Sequence, residues 1–144
     1  MIGISIDRLN HCLAVARKMK AMAESIEGFP YTPEDMFYLG LLHDVAYEFV
    51  ASQEDHEHRG GEILRNNGYI YWKEVFYHGN PNADFHSKAL DLLNYADMTT
   101  DTQGHDITIE SRLEDIALRY GADSDQYRNA FLLAEQIRII FGIS

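Results

Sequence analysis

The sequence predicts an all-α fold, a compact bundle of about six to seven helices. Two observations carry that prediction. Apolar residues recur at three- and four-residue steps rather than alternating, and helix-start and helix-stop residues punctuate the chain. A third observation concerns its extent: 144 residues, 46% of them hydrophobic, suit one core, and no repeat, linker or low-complexity tail divides the chain. Residues 1–144 are therefore expected to form a single domain.

From Ile4 to Ile26, the residues Val15, Met19, Met22 and Ile26 follow one helical face, and position 11 begins it. Gly28, Phe29, Pro30 and Tyr31 break the pattern. Thr32, Pro33 and Glu34 then read as an N-cap with proline in the first turn, opening a helix that runs to Tyr47. After the polar stretch 51–59, a third helix is expected from Gly60 to Asn67, ended by Asn66, Asn67 and Gly68. Tyr69 to Tyr77 reads as a short helix despite its strand-friendly Tyr, Ile, Trp and Val. Gly79 to Asn82 is a turn, and the next helix, starting near Asp84, carries Leu90, Leu93 and Asp97 on one face. A loop from Thr99 to Asp106 leads to two amphipathic helices, Thr108–Tyr120 and Asp125–Phe141, with Gly121 as the stop between them.

Charge narrows the functional classes. Twenty-three acidic residues against 12 basic ones give a formal charge of -11, which disfavours general nucleic-acid binding. Small phosphate esters stay open, provided a cation or a local Lys/Arg cluster offsets the repulsion at the binding site. The single cysteine, Cys12, excludes an intrachain disulfide and a multi-cysteine zinc site. With no signal-peptide pattern at the amino terminus and no membrane-length apolar run, a cytoplasmic location without membrane association is expected.

Polar residues where apolar ones belong are the informative ones. His11 lies one turn before Val15 on the inward face of the first helix. Asp97 falls four residues after Leu93. His43 and Asp44 sit inside Phe37-Tyr-Leu-Gly-Leu-Leu-His-Asp-Val-Ala46, a run that otherwise reads as buried. A buried carboxylate costs several kcal/mol unless it has a strong partner, and a cation shared by imidazole and carboxylate is one. Histidine and carboxylate without thiolate suit Fe, Mn, Co, Ni or Zn and do not choose among them.

Arg8-Leu-Asn-His11, Leu39-Gly-Leu-Leu-His-Asp-Val-Ala46 and Asn94-Tyr-Ala-Asp97 together resemble the HD-domain family of metal-dependent phosphohydrolases. The signature of that family is a histidine, a later His-Asp doublet and a still later aspartate. The resemblance runs from Asp7 to Asp101 and leaves the last two helices without a motif. It implies a hydrolase that acts on a nucleotide or other small phosphate ester by metal-activated water, with His43 and Asp44 at the catalytic centre. One or two divalent ions are implied, held by His11, His43, Asp44 and Asp97, with Asp44 bridging if both are present. In dinuclear members two further histidines stand between the doublet and the last aspartate. His56, four residues before Gly60, matches the first better than His58 does, and His78 is similar to the second.

This chain departs from the family pattern in having Val45-Ala46 where many members have isoleucine and glycine, and no lysine or arginine beside Asp97. Among the basic residues near the ligands in sequence, which include Arg65, Lys73 and Lys88, Arg59 is the strongest candidate to meet substrate. His86 stands 11 residues before Asp97 on the same face, about 16 Å away along a helix, too far for the same ion; it either faces substrate or simply sits near a helix start. Glu48 is an alternative general base in a one-metal site. Tyr69, Tyr71, Trp72 and Tyr77 are candidates to stack a base, although such clusters are more often core. The expected partner is a small phosphorylated substrate, and homodimerisation is left open. The alternative is a non-catalytic metal- or nucleotide-binding sensor domain.

Overall fold

In the computed structural model residues 5–44 and 56–143 are described, with backbone only at His56 and Glu57. These residues form seven helices: α1 (Ile6–Ser25), α2 (Pro33–Leu42), α3 (His56–Asn66), α4 (Trp72–Tyr77), α5 (Lys88–Met98), α6 (Ile109–Tyr120) and α7 (Asp125–Phe141). An isolated antiparallel bridge joins Thr100 and Asp106. The expected all-α bundle is therefore present, and no helix among the described residues is long and apolar enough to cross a membrane.

Local chemistry sets most helix starts. Ser5, Thr32, Ser87, Thr108 and Ser124 each accept the backbone N–H three residues ahead through the side-chain oxygen. That satisfies one of the orphan donors of each first turn. Ser87 also corrects the expected start of α5 near Asp84, because its hydroxyl takes the N–H of Leu90 and fixes the first turn at Lys88. Gly121 closes α6 as expected, its N–H bonding to Ala117 O.

Three other boundaries differ from expectation, two of them for reasons of tertiary packing. α3 begins at His56, not Gly60, so both glycines lie inside it. At Gly61 a Cβ would stand 2.5 Å from Phe76 Cβ, so the missing side chain lets α3 close onto α4. α4 begins at Trp72 instead of Tyr69, because Tyr69 and Tyr71 turn onto the core and the Tyr71 hydroxyl donates to Asp35 Oδ2 at 3.3 Å. Regular helix in α2 ends at Leu42, with His43 as its C-cap; the expected continuation to Tyr47, and Glu48, lie outside the described residues. In α1 the buried face is His11, Cys12, Val15, Ala16, Met19 and Ala23, while Ile26 at the C-cap is exposed.

α1 packs along α2, and α5 touches α1, α2, α4 and α7. The α1–α2 approach depends on Gly40, where a Cβ would lie 2.7 Å from Ala16 Cα. Two apolar clusters result. Val15, Met19, Met36, Leu39, Val75 and Leu93 belong to the first. Met98, Ile109, Leu113, Leu133 and Ile137 build the second between the end of α5, α6 and α7. Each side chain fully withdrawn from water contributes about 1.5–3 kcal/mol. α5 thus runs through the centre of the molecule with the first cluster along its length and the second at its end.

Candidate metal centre

Four elements deliver polar side chains to one place. α1 supplies His11, the end of α2 supplies His43 and Asp44, the C-cap of α4 supplies His78, and α5 supplies Asp97. The first four are buried, whereas the Asp97 side chain is 23% exposed and marks the open side. The turn after His78 is pinned to α5, since Gly79 N–H donates to Asn94 Oδ1 at 2.8 Å, one turn before Asp97.

The three imidazoles are oriented alike. His11 Nδ1–H donates to Asp101 O at 2.8 Å, His43 Nδ1–H to Gly40 O at 2.6 Å and His78 Nδ1–H to Val75 O at 2.5 Å. A carbonyl oxygen only accepts, so each Nδ1 carries hydrogen and each Nε2 is left with its lone pair in the neutral ring. Those Nε2 atoms face carboxylates. His11 Nε2 lies 2.9 Å from Asp97 Oδ1 and 3.7 Å from Asp44 Oδ2. His43 Nε2 is 3.3 Å from both Asp97 Oδ1 and Asp44 Oδ2. His78 Nε2 approaches the other oxygen of that carboxylate, Asp44 Oδ1, at 3.8 Å.

Two acceptors cannot rest this close without a proton or a cation between them. Ligand atoms placed about 2.1 Å from one divalent ion are separated from each other by roughly 3.0–3.4 Å. The spacings of His11, His43, Asp44 and Asp97 bracket that range, and the ligating atoms of His11, His43 and Asp97 all lie within 4.8 Å of one another. The Nδ1 bonds to carbonyls are the usual support that orients a ligating histidine. The donor set therefore fits a divalent metal.

Without a cation, protons take its place. Burial works against a charged His43, but the Asp44 and Asp97 carboxylates outweigh it and push its pKa up to about 9. Burial likewise opposes the Asp97 charge, yet the His43 charge and the bonds from His11 and His43 hold this carboxyl well below the usual range. Cys12, whose Sγ groups with His43 and Asp44, behaves differently. Burial and then the Asp44 charge push its thiol up to about 12, so it packs as a neutral group.

Three features escaped sequence reasoning. Arg8 Nη1 donates to Asp44 Oδ2 at 2.8 Å, and Arg8 stands one turn before His11, a spacing that pointed to it. Arg112 Nη2 donates to the backbone carbonyl of Asp97 at 3.3 Å, which ties α6 to the end of α5. Asp101, whose carbonyl orients His11, had no signal at all. Its side chain accepts the N–H groups of Gln103 and His105 and so shapes the loop.

The remaining expected residues are not among the described side chains of the cluster. The His56 side chain is outside the described residues. His58 stacks on Phe76. Arg59 is exposed and pairs with Glu62 at 3.3 Å, and His86 is exposed near Asp91; neither is among the side chains that meet at the cluster. Tyr69, Tyr71 and Trp72 pack against the first apolar cluster, while Tyr77 stacks with Phe85. A family model described as HD domain matches residues 8–117. Nothing matches among curated proteins or among solved structures.

Proposed function

Since the chain belongs to the HD-domain family, whose members are typically metal-dependent hydrolases, we propose that it is a phosphohydrolase acting on a nucleotide or other small phosphate ester. The observation that carries this reading is the convergence of three imidazole Nε2 atoms on the carboxylates of Asp44 and Asp97. His11, His43, Asp44 and Asp97 would hold a first divalent cation, and His78, with His56, a second. A bound cation supplies positive charge to the phosphate oxygens and acidity to a water molecule.

The chain's own residues do the rest. Asp44 presents Oδ2 toward His11 and His43 and Oδ1 toward His78, so its carboxylate spans both positions. The three Nδ1–H bonds to backbone carbonyls fix ring orientation before any ligand arrives. Asp97, the most exposed member, lies where a phosphate would enter.

Protein purified without chelator should carry a divalent first-row metal, and a panel of phosphomonoesters, diesters and anhydrides should reveal turnover. Metal at 100 times its dissociation constant should stabilise the fold by about 2.7 kcal/mol. Fewer than about 0.1 metal per chain, together with no thermal shift on adding Mn, Fe, Co, Ni or Zn, would reject the reading.

A further inference from the structure

Arg8 places a fixed positive charge inside the carboxylate cluster. Its Nη1 sits 2.8 Å from Asp44 Oδ2, with the Arg8 side chain 12% exposed and that of Asp44 4% exposed. This is the same oxygen that faces His43 Nε2 at 3.3 Å and His11 Nε2 at 3.7 Å. In the metal-free protein a guanidinium so placed helps to balance Asp44, beside the His43 imidazole 3.3 Å from the same oxygen. Once the carboxylate ligates a divalent ion, that balance is redundant and two positive charges share one oxygen. Phosphate then becomes the better partner for Arg8, because a planar fork of N–H donors matches its oxygens.

The other basic groups near the site have different work. Lys18 Nζ donates to Thr99 O, Thr99 Oγ1 and Asp106, and Arg112 donates to the Asp97 carbonyl. Both tie the end of α5 in place. In a chain of net charge -11, a phosphate needs a local cation beyond the metal, and Arg8 is the one that already touches the cluster's carboxylates. We propose that Arg8 exchanges partners: it holds Asp44 in the metal-free protein and contacts the phosphate oxygens of substrate, or inorganic phosphate, when Asp44 ligates a metal. This rests on the phosphohydrolase reading above.

Mn²⁺ alone, and inorganic phosphate added to Mn²⁺-loaded protein, are the two probes, each followed by calorimetry on wild type, Arg8→Gln and Arg8→Lys. Arg8→Gln should bind Mn²⁺ as tightly as wild type or a few-fold more tightly, since a competing charge is gone. Its phosphate affinity should fall about tenfold, roughly 1.4 kcal/mol. Arg8→Lys keeps the charge but not the fork, and should lose about threefold to fivefold of the phosphate affinity with Mn²⁺ binding intact. It carries the test if Arg8→Gln does not fold. Loss of Mn²⁺ binding in a folded variant would make Arg8 a mere support for Asp44 and overturn the inference. Unchanged phosphate affinity in variants that still bind Mn²⁺ would overturn the inference alone, whereas a wild type that binds no Mn²⁺ would overturn the phosphohydrolase reading with it.

Discussion

His43 is fully buried, bonded to Gly40 O through Nδ1 and set between two carboxylates. In the metal-free protein its pKa is raised to about 9 from an ordinary value near 6.5. A raised histidine stabilises the fold fully below about pH 6.5 and loses that contribution as pH rises through about 9. Asp97, lowered, acts in the opposite sense, its contribution being present above the ordinary carboxylate range and lost as acid protonates it. Long-range ¹H–¹⁵N correlation of the imidazoles in metal-free protein should therefore find His43 still protonated at pH 8. Asp97→Asn should move its midpoint downward by a unit or more. A His43 midpoint near 6.5 in both proteins would contradict this geometry. With metal loaded as proposed, Nε2 would be a ligand and the sign would reverse, so acidification through about pH 6 to 5 should weaken binding.

At the scale of elements, legibility followed the range of the deciding interaction. α7 is found as expected and α6 within a residue of it, because Thr108, Ser124 and Gly121 decide their ends locally. α3 and α4 were misplaced at their starts because Phe76 packing against Gly61, and Tyr69 and Tyr71 turning onto the core, are tertiary facts. The site divides the same way. His11, His43, Asp44 and Asp97 were legible as polar groups on apolar faces. The His11–Asp101 bond, 90 positions apart, leaves no local mark, and the spacing of Arg8 one turn before His11 places it near the site without naming Asp44, 36 positions on, as its partner. Gly40 joins packing to chemistry, since its missing Cβ sets the α1–α2 approach and its carbonyl holds His43. Gly40→Ala should destabilise the fold by about 1–3 kcal/mol in denaturant titration. It should also weaken metal binding beyond what the stability loss accounts for, because the backbone that carries His43 must draw away from the one that carries His11. The loop beside His11 has a similar dependence at Gly104, where φ is +90° and a Cβ would stand 2.6 Å from Asn10 O. Gly104→Ala should displace the Asp101 carbonyl from His11, which weaker metal affinity with α-helical circular dichroism retained would report.

Over the whole molecule, the acidic charge and the buried cluster pull in different directions. A net charge of -11 repels phosphate while the cluster offers a place for a cation, so on the proposed reading affinity for a phosphorylated ligand should depend on metal loading and rise with ionic strength at low salt. Titration of inorganic phosphate against metal-loaded protein at two salt concentrations checks the second part: weaker binding on adding moderate salt would mean that local cations, not overall charge, dominate encounter.

The bond between His11 and Asp97 joins residues 86 positions apart, and its consequence is one of timing. During synthesis His11, His43 and Asp44 leave the ribosome long before Asp97 exists, so the growing chain offers a cation only an incomplete and solvated set of donors. Closing so long a loop is paid in chain entropy before any contact returns it, which makes docking of α5 on α1 a late event. If the cluster holds a metal as proposed, its capture would follow that docking: in refolding, the rate at which Mn²⁺ becomes immobilised should match the slowest phase of helix docking and should not depend on Mn²⁺ concentration once that is in excess.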